Sequence, residues 1–241
     1  EHQPIGYFQG QSIAPATGGD TSVQDVISSI IVGSEQAIRE ANFCEIPPAE
    51  LSGFVFQDGP ELATANGNVP DNLQDFRDGL RTADDTPIAG VTVRLLRTNG
   101  EAVLASEALP GFYAGEFVEV VTDADGHYHF AGLRGGTFYH VFQVQPEGFW
   151  DGLDTVGTTG GQTLNTQAEV EAFFNFGTNA ALRQFSDTQL MDAVLWVSLA
   201  PGQSSAENNF SEVLVRPETP VPWIPPQVIE FNRPPVTPEV F

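Results

Sequence analysis

The sequence predicts an all-β protein whose strands form a sandwich of two sheets, and features between residues 120 and 149 indicate this. His127–Phe130 and Thr137–Val144 alternate aromatic or β-branched residues with polar ones, which is the period of half-buried strands. The segment between them, Ala131–Gly136, carries glycines that can adopt the positive φ of tight turns. Thr122–Gly126 is a second turn, with aspartates able to bond their own backbone. We therefore expect consecutive strands joined by tight turns.

Composition limits the possible partners. The 241 residues carry 32 acidic side chains and nine basic ones, all of them arginine, and the net charge is −23. This balance argues against nucleic-acid and anionic lipid partners, because both require clustered cations. It favours divalent cations, since acidic, oxygen-rich loops are what calcium needs. Calcium is accordingly the one cofactor that the sequence leaves open, and we expect no other.

Three further observations concern the chain as a whole. No apolar run is long enough to span a membrane. The sequence begins without methionine or a signal sequence, so we expect a processed or excised segment. Cys44 is the only cysteine, which excludes a disulfide within the chain. We expect a small buried side chain there, with a redox or interchain role as the alternative.

Two parts of the chain repeat one another. Two blocks near the start match later blocks at an offset of 142, and a third matches at an offset of 167. The matched pairs are Gln3–Gly10 with Gln145–Gly152, Thr17–Gly19 with Thr159–Gly161, and Ala41–Ile46 with Asn208–Val213. The second copy therefore contains an insertion of 25 residues, and the first copy corresponds only to the rear half of a domain.

The insertion covers about residues 164–187. Thr166–Glu169 is a capping-box pattern, and it predicts a short helix. Insertions on sandwich loops often carry function, so we expect the helical segment to pack partly against a neighbouring subunit or domain. The side chains expected to do so are Phe173, Phe174, Phe176 and Phe185.

The predicted organisation has three parts: residues 1–46 as the rear half of a sandwich, 47–216 as a complete sandwich, and 217–241 as a proline-rich extended tail. We expect strands at Val26–Val32, at Ala41–Ile46, and within Thr188–Ala200 after the insertion. In the tail only Gln227–Phe231 is a candidate strand, because proline at this density is confined to sheet edges. Its Val228 and Phe231 are candidates for assembly by strand addition.

The combined motifs resemble a known family. They are Leu51–Asp58, Pro87–Leu95, Thr122–Leu133, Gly135–Phe138, Gln145–Phe149, Asp154 and Asn208–Phe210. Together they resemble the SdrD B-like repeat, also called the Cna-B-like fold. The resemblance implies an Ig-like or prealbumin-like β-sandwich, used outside the cell as a stalk or spacer in large bacterial surface proteins. Many relatives form a Lys–Asn isopeptide bond, which a chain without lysine cannot form.

The resemblance also implies a metal site. Asp58, Asp151 and Asp154 match positions that supply calcium oxygens in relatives, and the sequence leaves open both a calcium site and plain solvated turn carboxylates. Asp58 is followed by Gly59 and Pro60 rather than by the dense acidic loop of calcium-binding relatives.

The remaining aspartates and histidines that could suggest a metal site are given structural roles instead. Asp123 and Asp125 are expected to form a turn, and His127, His129 and His140 to be strand-surface histidines without a metal. The sequence contains no GxSxG motif, phosphate-binding loop or Cys–His arrangement, so we expect no enzyme.

The predicted function is that of a structural repeat or subunit in an extracellular bacterial filament, stalk or surface fibre. It would join copies of itself or another surface protein head to tail through β-strand contacts, because half a sandwich leaves strand edges and an apolar face uncovered. The alternative is an adhesive or glycan-binding surface module. Its mark would be a groove lined by exposed aromatics such as Trp150, Trp196 and Trp223.

Overall fold

The computed structural model describes residues 1–176 and 179–218, so the predicted strand Gln227–Phe231 lies outside them. In that part of the chain the α-helices are α1 (Gln167–Phe176) and α2 (Asp187–Met191). The strands are β1 (Phe8–Ile13), β2 (Asn42–Ile46), β3 (Ala49–Gln57), β4 (Leu62–Thr64), β5 (Thr86–Pro87), β6 (Thr92–Arg97), β7 (Glu119–Val121), β8 (His127–Leu133), β9 (Thr137–Gln143), β10 (Trp150–Asp151), β11 (Ala193–Leu199), β12 (Ser204–Ser205), β13 (Phe210–Val213) and β14 (Val215–Pro217).

Residues 47–217, the full sandwich, are built on two large sheets packed face to face, which confirms the predicted all-β sandwich. In the first sheet β3 is central: it pairs with β8 antiparallel and with β13 parallel. The second sheet has the order β11-β9-β6-β7. Side chains from both sheets form one buried apolar core, which includes Leu51, Val55, Val93, Leu95, Tyr128, Phe130, Val141, Val197 and Phe210. The sandwich extends one residue beyond its predicted end, since β14 pairs with β4 through Pro217.

The turn before β8 forms as the sequence predicts. Oδ1 of Asp123 accepts the backbone N–H groups of Asp125 at 2.9 Å and His127 at 3.0 Å. Gly126 completes the turn with φ of 71°. In β8 the side chains then alternate, with Tyr128 buried and His129 exposed.

The insertion forms a third layer over the second sheet. Glu169 N–H donates to Oγ1 of Thr166 at 3.2 Å, as expected for a helix cap, and α1 follows. The second helix, α2, was not predicted; Ser186 caps it by accepting from Gln189 N–H at 3.3 Å. Apolar side chains of the insertion cover the outer face of β6, β9 and β11. This second core contains Leu96, Phe142, Leu164, Val170, Phe173, Leu182, Leu190, Ala193 and Leu195.

The phenylalanines expected to act in assembly pack at least in part within the chain itself, and their assembly role stays a prediction. Phe173 is 8% exposed, and the ring centroid of Phe185 lies 4.9 Å from that of Phe142. Phe174 is half-buried against the same core. The side chain of Phe176 lies outside the described residues, as do Val228 and Phe231. The second sheet has an apolar outer face, and the insertion covers that face.

We therefore expect Phe173→Ala to destabilise the chain by about 3–5 kcal/mol, because a buried ring is replaced by a cavity. The measurement is the free energy of unfolding in urea. The control is Phe76→Ala, since Phe76 is 52% exposed. Equal effects of the two substitutions would contradict the third layer.

Residues 1–46, which we call the half-sandwich, reproduce strand pairings of the full sandwich at the two sequence offsets. Four antiparallel pairings correspond, in strands and in isolated bridges. They are Phe8↔Ile46 with Trp150↔Val213, Gln9↔Glu45 with Asp151↔Glu212, Ile13↔Asn42 with Thr155↔Asn209, and Asp20↔Ser28 with Gln162↔Leu195. The unusual positive φ of Ser29 (57°) recurs at Trp196 (59°), and that of Glu40 (63°) recurs at Glu207 (61°).

The strand predicted at Val26–Val32 is wrong, and the reason is its missing neighbour. Within the described residues, this run forms only the bridge at Ser28. Its counterpart, β11, is a strand because it pairs with β9 along most of its length. Residues 1–46 include no counterpart of β9, so in the described part of the chain this run has no neighbouring strand with which to form a ladder.

Two single residues also differ from expectation. Cys44 is exposed rather than buried. His140, expected on a strand surface, is fully buried: its Nδ1 accepts the N–H of Trp196 at 3.1 Å, and burial lowers the pKa of His140 to about 4. His127 and His129 lie at the surface of β8, as predicted.

Candidate metal centre

Two of the three aspartates predicted as calcium ligands lie together in the full sandwich. Asp151 ends β10 and pairs across the sheet with Glu212 of β13. Asp154 follows in the next loop and is 3% exposed. The charges of Asp151, Asp192 and Glu212 all act on Asp154. We call these four side chains the acid cluster.

Different elements position the cluster. Asp192 ends α2, where its N–H donates to the Thr188 carbonyl at 3.1 Å, and its own carbonyl accepts from Gln143 N–H at 3.1 Å. The loop of Asp154 is held by one amide side chain. Asn165 Oδ1 accepts Asp154 N–H at 2.9 Å, and Asn165 Nδ2 donates to the Asp154 carbonyl at 3.1 Å.

Several oxygens of this region are buried and have no hydrogen-bond partner among the described residues. They are both carboxylate oxygens of Asp154, Oδ1 of Asp192 and Oε1 of Gln143. Glu212, by contrast, accepts from Nε2 of Gln143 and, at 2.5 Å, from Nε2 of Gln145. Buried carboxylates without partners are unfavourable unless a proton or a cation neutralises them. This donor set fits calcium, which takes about six to eight oxygen ligands.

Burial raises the pKa of every carboxyl in the acid cluster, and neighbouring carboxylates add to the shift for all of them except Asp192. Burial raises the pKa of Asp192 to about 7. Burial, reinforced by the charges of Asp192 and Asp151, raises the pKa of Glu212 to about 9. Burial and neighbouring carboxylates also raise the pKa values of Asp151 and Asp154 well above their usual range. A bound divalent cation acts in the opposite direction, because positive charge favours the ionised form.

A cleft of about 460 Å³ opens beside the acid cluster. Its lining includes Asp151, Asp192 and the ring of Trp150. Asp154 and Glu212 are buried. The cleft therefore gives solvent access on the side of Asp151 and Asp192.

The half-sandwich contains a smaller version of the same arrangement. Asp25 and Glu45 stand at the positions of Asp192 and Glu212, at an offset of 167. A glutamine donates to the glutamate in each copy. The two contacts are Gln3 Nε2 to Glu45 Oε2 at 2.7 Å and Gln145 Nε2 to Glu212 Oε2 at 2.5 Å.

Carboxylates of the half-sandwich also converge. One oxygen each from Glu1, Asp25 and Glu45 lies within 4.8 Å of the others. Oδ1 of Asp25 and Oε1 of Glu45 have no partner in the described part of the chain. Gln9 and Ser12 occupy the positions at which the acid cluster has Asp151 and Asp154. Both copies thus have the pair that Asp192 and Glu212 form in the full sandwich, whereas Asp151 and Asp154 have no acidic counterpart in the half-sandwich.

Asp58, the third predicted ligand, does not join the acid cluster. Its Oδ2 accepts Gly79 N–H at 2.9 Å, and its Oδ1 lies 4.0 Å from Nε of Arg77. Burial, more than the nearby Asp85, raises the pKa of Asp58, and the Gly79 hydrogen bond opposes that shift. Only the backbone of Asp58 approaches the cluster, with its N–H donating to the Glu212 carbonyl at 2.9 Å.

Sequence reasoning missed Asp192 and Glu212. The repeat carried a usable signal, because Asp25 and Glu45 are identical residues at the same offset. The tryptophans expected for a glycan groove do not share one sheet. Trp150 lies on β10 of the first sheet, and Trp196 lies on β11 of the second, in edge-on contact with His140. Trp223 lies outside the described residues.

Comparison with known proteins gives weak but extended similarity. No protein-family model matches the chain. It is 24% identical over 167 residues to serine-aspartate repeat-containing protein D of Staphylococcus aureus strain Newman, and equally to that of strain MW2. The match covers 66% of the chain but only 10% of the relative.

Two solved structures also show similarity. One is the minor pilin of Streptococcus agalactiae, with 14% identity, a TM-score of 0.34, and coverage of 75% of this chain and 48% of that one. The other is the RrgB pilus protein of Streptococcus pneumoniae, with 12% identity, a TM-score of 0.25, and coverage of 69% and 25%. The resemblance to SdrD B-like repeats that the motifs indicate is confirmed by the sequence similarity to the staphylococcal protein.

Proposed function

We propose that this chain is a non-catalytic structural module of an extracellular bacterial stalk, filament or surface fibre, and that successive sandwiches join head to tail through β-strand contacts. The observation that carries this proposal is the recurrence of one set of strand pairings in residues 1–46 and again in the full sandwich. Successive units with the same pairing are the architecture of a repeat array, in which each unit packs on its neighbours.

The comparisons support the same reading. The staphylococcal relative is a serine-aspartate repeat-containing protein, and the chain spans about a tenth of its length. In the described residues no helix is long and apolar enough to cross a membrane. We place the module outside the cell, as a segment of a longer surface structure.

Calcium has a structural role in this proposal. The acid cluster would bind the ion through Asp151, Asp154, Asp192 and Glu212, and the ion would tie the loop after β10 to the start of β11 and to β13. In the SdrD B-like family, the lysine-containing relatives are stabilised instead by Lys–Asn isopeptide bonds. Without lysine, bound cations offset the repulsion among the acidic loops.

Calcium titration of chelator-stripped protein tests this role. We expect isothermal titration calorimetry to show binding, and Asp154→Asn to weaken it by about tenfold or more, because one neutral amide replaces a buried carboxylate ligand. Asp125→Asn is the matched control, since Asp125 is an exposed turn residue. Binding that is equal in both variants would show that the ion does not use the cluster.

The location of the protein tests the wider function. An antibody raised against the full sandwich should label filaments or stalks outside the envelope in immunogold electron microscopy of the producing cells. Label confined to the cell interior would overturn the proposed function.

A further inference from the structure

The half-sandwich meets the full sandwich at the turn between β8 and β9, where Arg134 contacts it. Arg134 Nη2 donates to the Gln9 carbonyl at 3.3 Å, and the guanidinium carbon lies 5.5 Å from the centroid of the Phe8 ring. A cleft of about 800 Å³ lies at this contact and is lined by both parts of the chain. We call it the junction cleft. Its volume is typical of sites that bind small molecules.

The junction cleft has apolar and aromatic side chains in its lining. Val103, Ala108 and Leu109 of the full sandwich are buried there. Two aromatic rings are exposed among the described residues: Tyr7 of the half-sandwich is 46% exposed, and Phe138 of β9 is 48% exposed. An exposed aromatic ring in a concave site offers a surface on which a ring with an apolar face can stack.

Most of the polar side chains in the lining can both donate and accept hydrogen bonds. They are the glutamines and hydroxyl residues Gln3, Gln9, Gln24, Thr98, Ser106 and Thr137. The half-sandwich supplies all three glutamines, and Gln24 Nε2 donates to Gln9 Oε1 at 3.4 Å. A sugar hydroxyl is likewise both a donor and an acceptor, so this lining suits a carbohydrate.

The charged side chains of the lining, as the described residues form it, are Arg97, Glu107 and Arg134. Arg97 is matched by Glu107, whose Oε2 accepts from Arg97 Nε at 3.0 Å. In the described part of the chain no carboxylate lies within 4.0 Å of the Arg134 guanidinium. One unmatched positive charge therefore stands in the cleft of a chain whose net charge is −23. A guanidinium binds a carboxylate through two parallel hydrogen bonds.

We propose that the junction cleft binds an oligosaccharide whose terminal sugar carries a carboxylate, as a uronic acid does. The carboxylate pairs with Arg134, the hydroxyl groups bond the polar lining, and a sugar ring stacks on Tyr7 or Phe138. A single carboxylate fits the site, because a ligand with many negative charges is repelled by the rest of the chain. This binding goes beyond the proposed function, since a structural module needs no ligand.

The sequence repeat provides an internal comparison, because four of its positions line a cleft in each copy. They are Gln3, Tyr7, Phe8 and Gln9 in the half-sandwich and, at the offset of 142, Gln145, Phe149, Trp150 and Asp151 in the full sandwich. The cleft of the full sandwich also has Asp192 in its lining and, among the described residues, no arginine. Without a bound cation it repels a carboxylate. The junction cleft, where Gln9 replaces an aspartate, does not.

The test is a glycan array with the full 241-residue chain in the presence of a chelator, which keeps cations out of the acid cluster. The array carries oligosaccharides that end in glucuronic, galacturonic or mannuronic acid, each beside its neutral counterpart that ends in glucose, galactose or mannose. We expect at least one acid-terminated oligosaccharide to bind about tenfold or more tightly than its neutral counterpart, because the paired charge adds to the shared contacts. Isothermal titration calorimetry measures both dissociation constants.

Variants of the lining separate the charge from the aromatic surface. Arg134→Gln should weaken binding of the acid-terminated sugar by about tenfold and leave its neutral counterpart unchanged, because only the paired charge is lost. Phe138→Ala, which keeps Arg134, should weaken both sugars. Arg81→Gln is the matched control: Arg81 is also exposed and lies 3.9 Å from the centroid of the Phe54 ring, but it does not line the junction cleft.

Two outcomes would overturn the inference. One is an array in which no acid-terminated oligosaccharide binds more tightly than its neutral counterpart. The full chain includes residues 219–241, so a cleft that they occupy would also give this result. The other is an Arg134→Gln variant that binds the acid-terminated sugar as tightly as the Arg81→Gln control does. Either result leaves the immunogold labelling experiment untouched, so failure of this inference is distinguishable from failure of the proposed function.

Discussion

In the presence of a chelator, the free energy of unfolding should fall as the pH rises from about 5 to about 9. The folded-state pKa values of Asp192 and Glu212 are about 7 and about 9, above the usual 3.8 and 4.5. Between the ordinary and the raised pKa the folded state binds the extra proton, so stability decreases with pH and levels off above the raised value. Each such carboxyl contributes a slope of up to about 1.4 kcal/mol per pH unit.

The measurement is a set of urea denaturation curves at constant ionic strength, with EDTA and with saturating calcium. Calcium should flatten the pH profile, because it stabilises the ionised carboxylates. Glu212→Gln should reduce the slope in EDTA, which separates the cluster from the general repulsion of a chain of net charge −23. A profile in EDTA that is flat, or that rises towards pH 9, would contradict the assignment.

Gly53→Ala should be among the most destabilising single substitutions in the chain. A Cβ at this position in β3 would lie 1.8 Å from the carbonyl oxygen of Asn208 and 2.8 Å from Oη of Tyr128. That carbonyl also accepts the Tyr128 hydroxyl at 2.6 Å, so neither group can move without losing a buried hydrogen bond. Overpacking of a rigid core costs about 1–3 kcal/mol or more, and we expect the upper end here.

Gly115→Ala is the matched control, because nothing lies within 4 Å of the added methyl group. Its effect should stay within about 0.5 kcal/mol. Thermal and urea unfolding of both variants measure the difference. Equal stabilities would mean that β3 and the segment before β13 are not in close contact at Gly53.

The sequence predicts a strand correctly where the alternating pattern lies within that strand. The alternation in β8 and the glycine-rich turn before β9 were read directly, because a half-buried strand places every second side chain in the core. Val26–Val32 failed because a strand also needs a partner, and its apolar pattern does not reveal that the partner is missing. The burial of His140 depends on the inserted layer that covers its sheet, which no pattern around His140 describes.

The acid cluster could be predicted only in part, because it also depends on residues that are distant in the sequence. Asp151 and Asp154 are close in sequence to a recognisable motif, whereas Asp192 and Glu212 reach the cluster from α2 and β13. Pairing across a sheet, here Asp151↔Glu212, brings together residues 61 positions apart. Burial that raises the pKa of each group is a property of the assembled fold and has no counterpart in composition.

The parallel pairing of β3 with β13 determines how the full sandwich responds to tension along the chain. These strands are the first long strand and the last core strand of the sandwich, and they run side by side in the same direction. Tension applied at the two ends pulls them in opposite directions along their length, so their hydrogen bonds are sheared together rather than opened one after another. Forced unfolding is governed by the unfolding rate rather than by equilibrium stability. We expect such a module to extend in single abrupt events at high force, which single-molecule force spectroscopy of the full sandwich would measure.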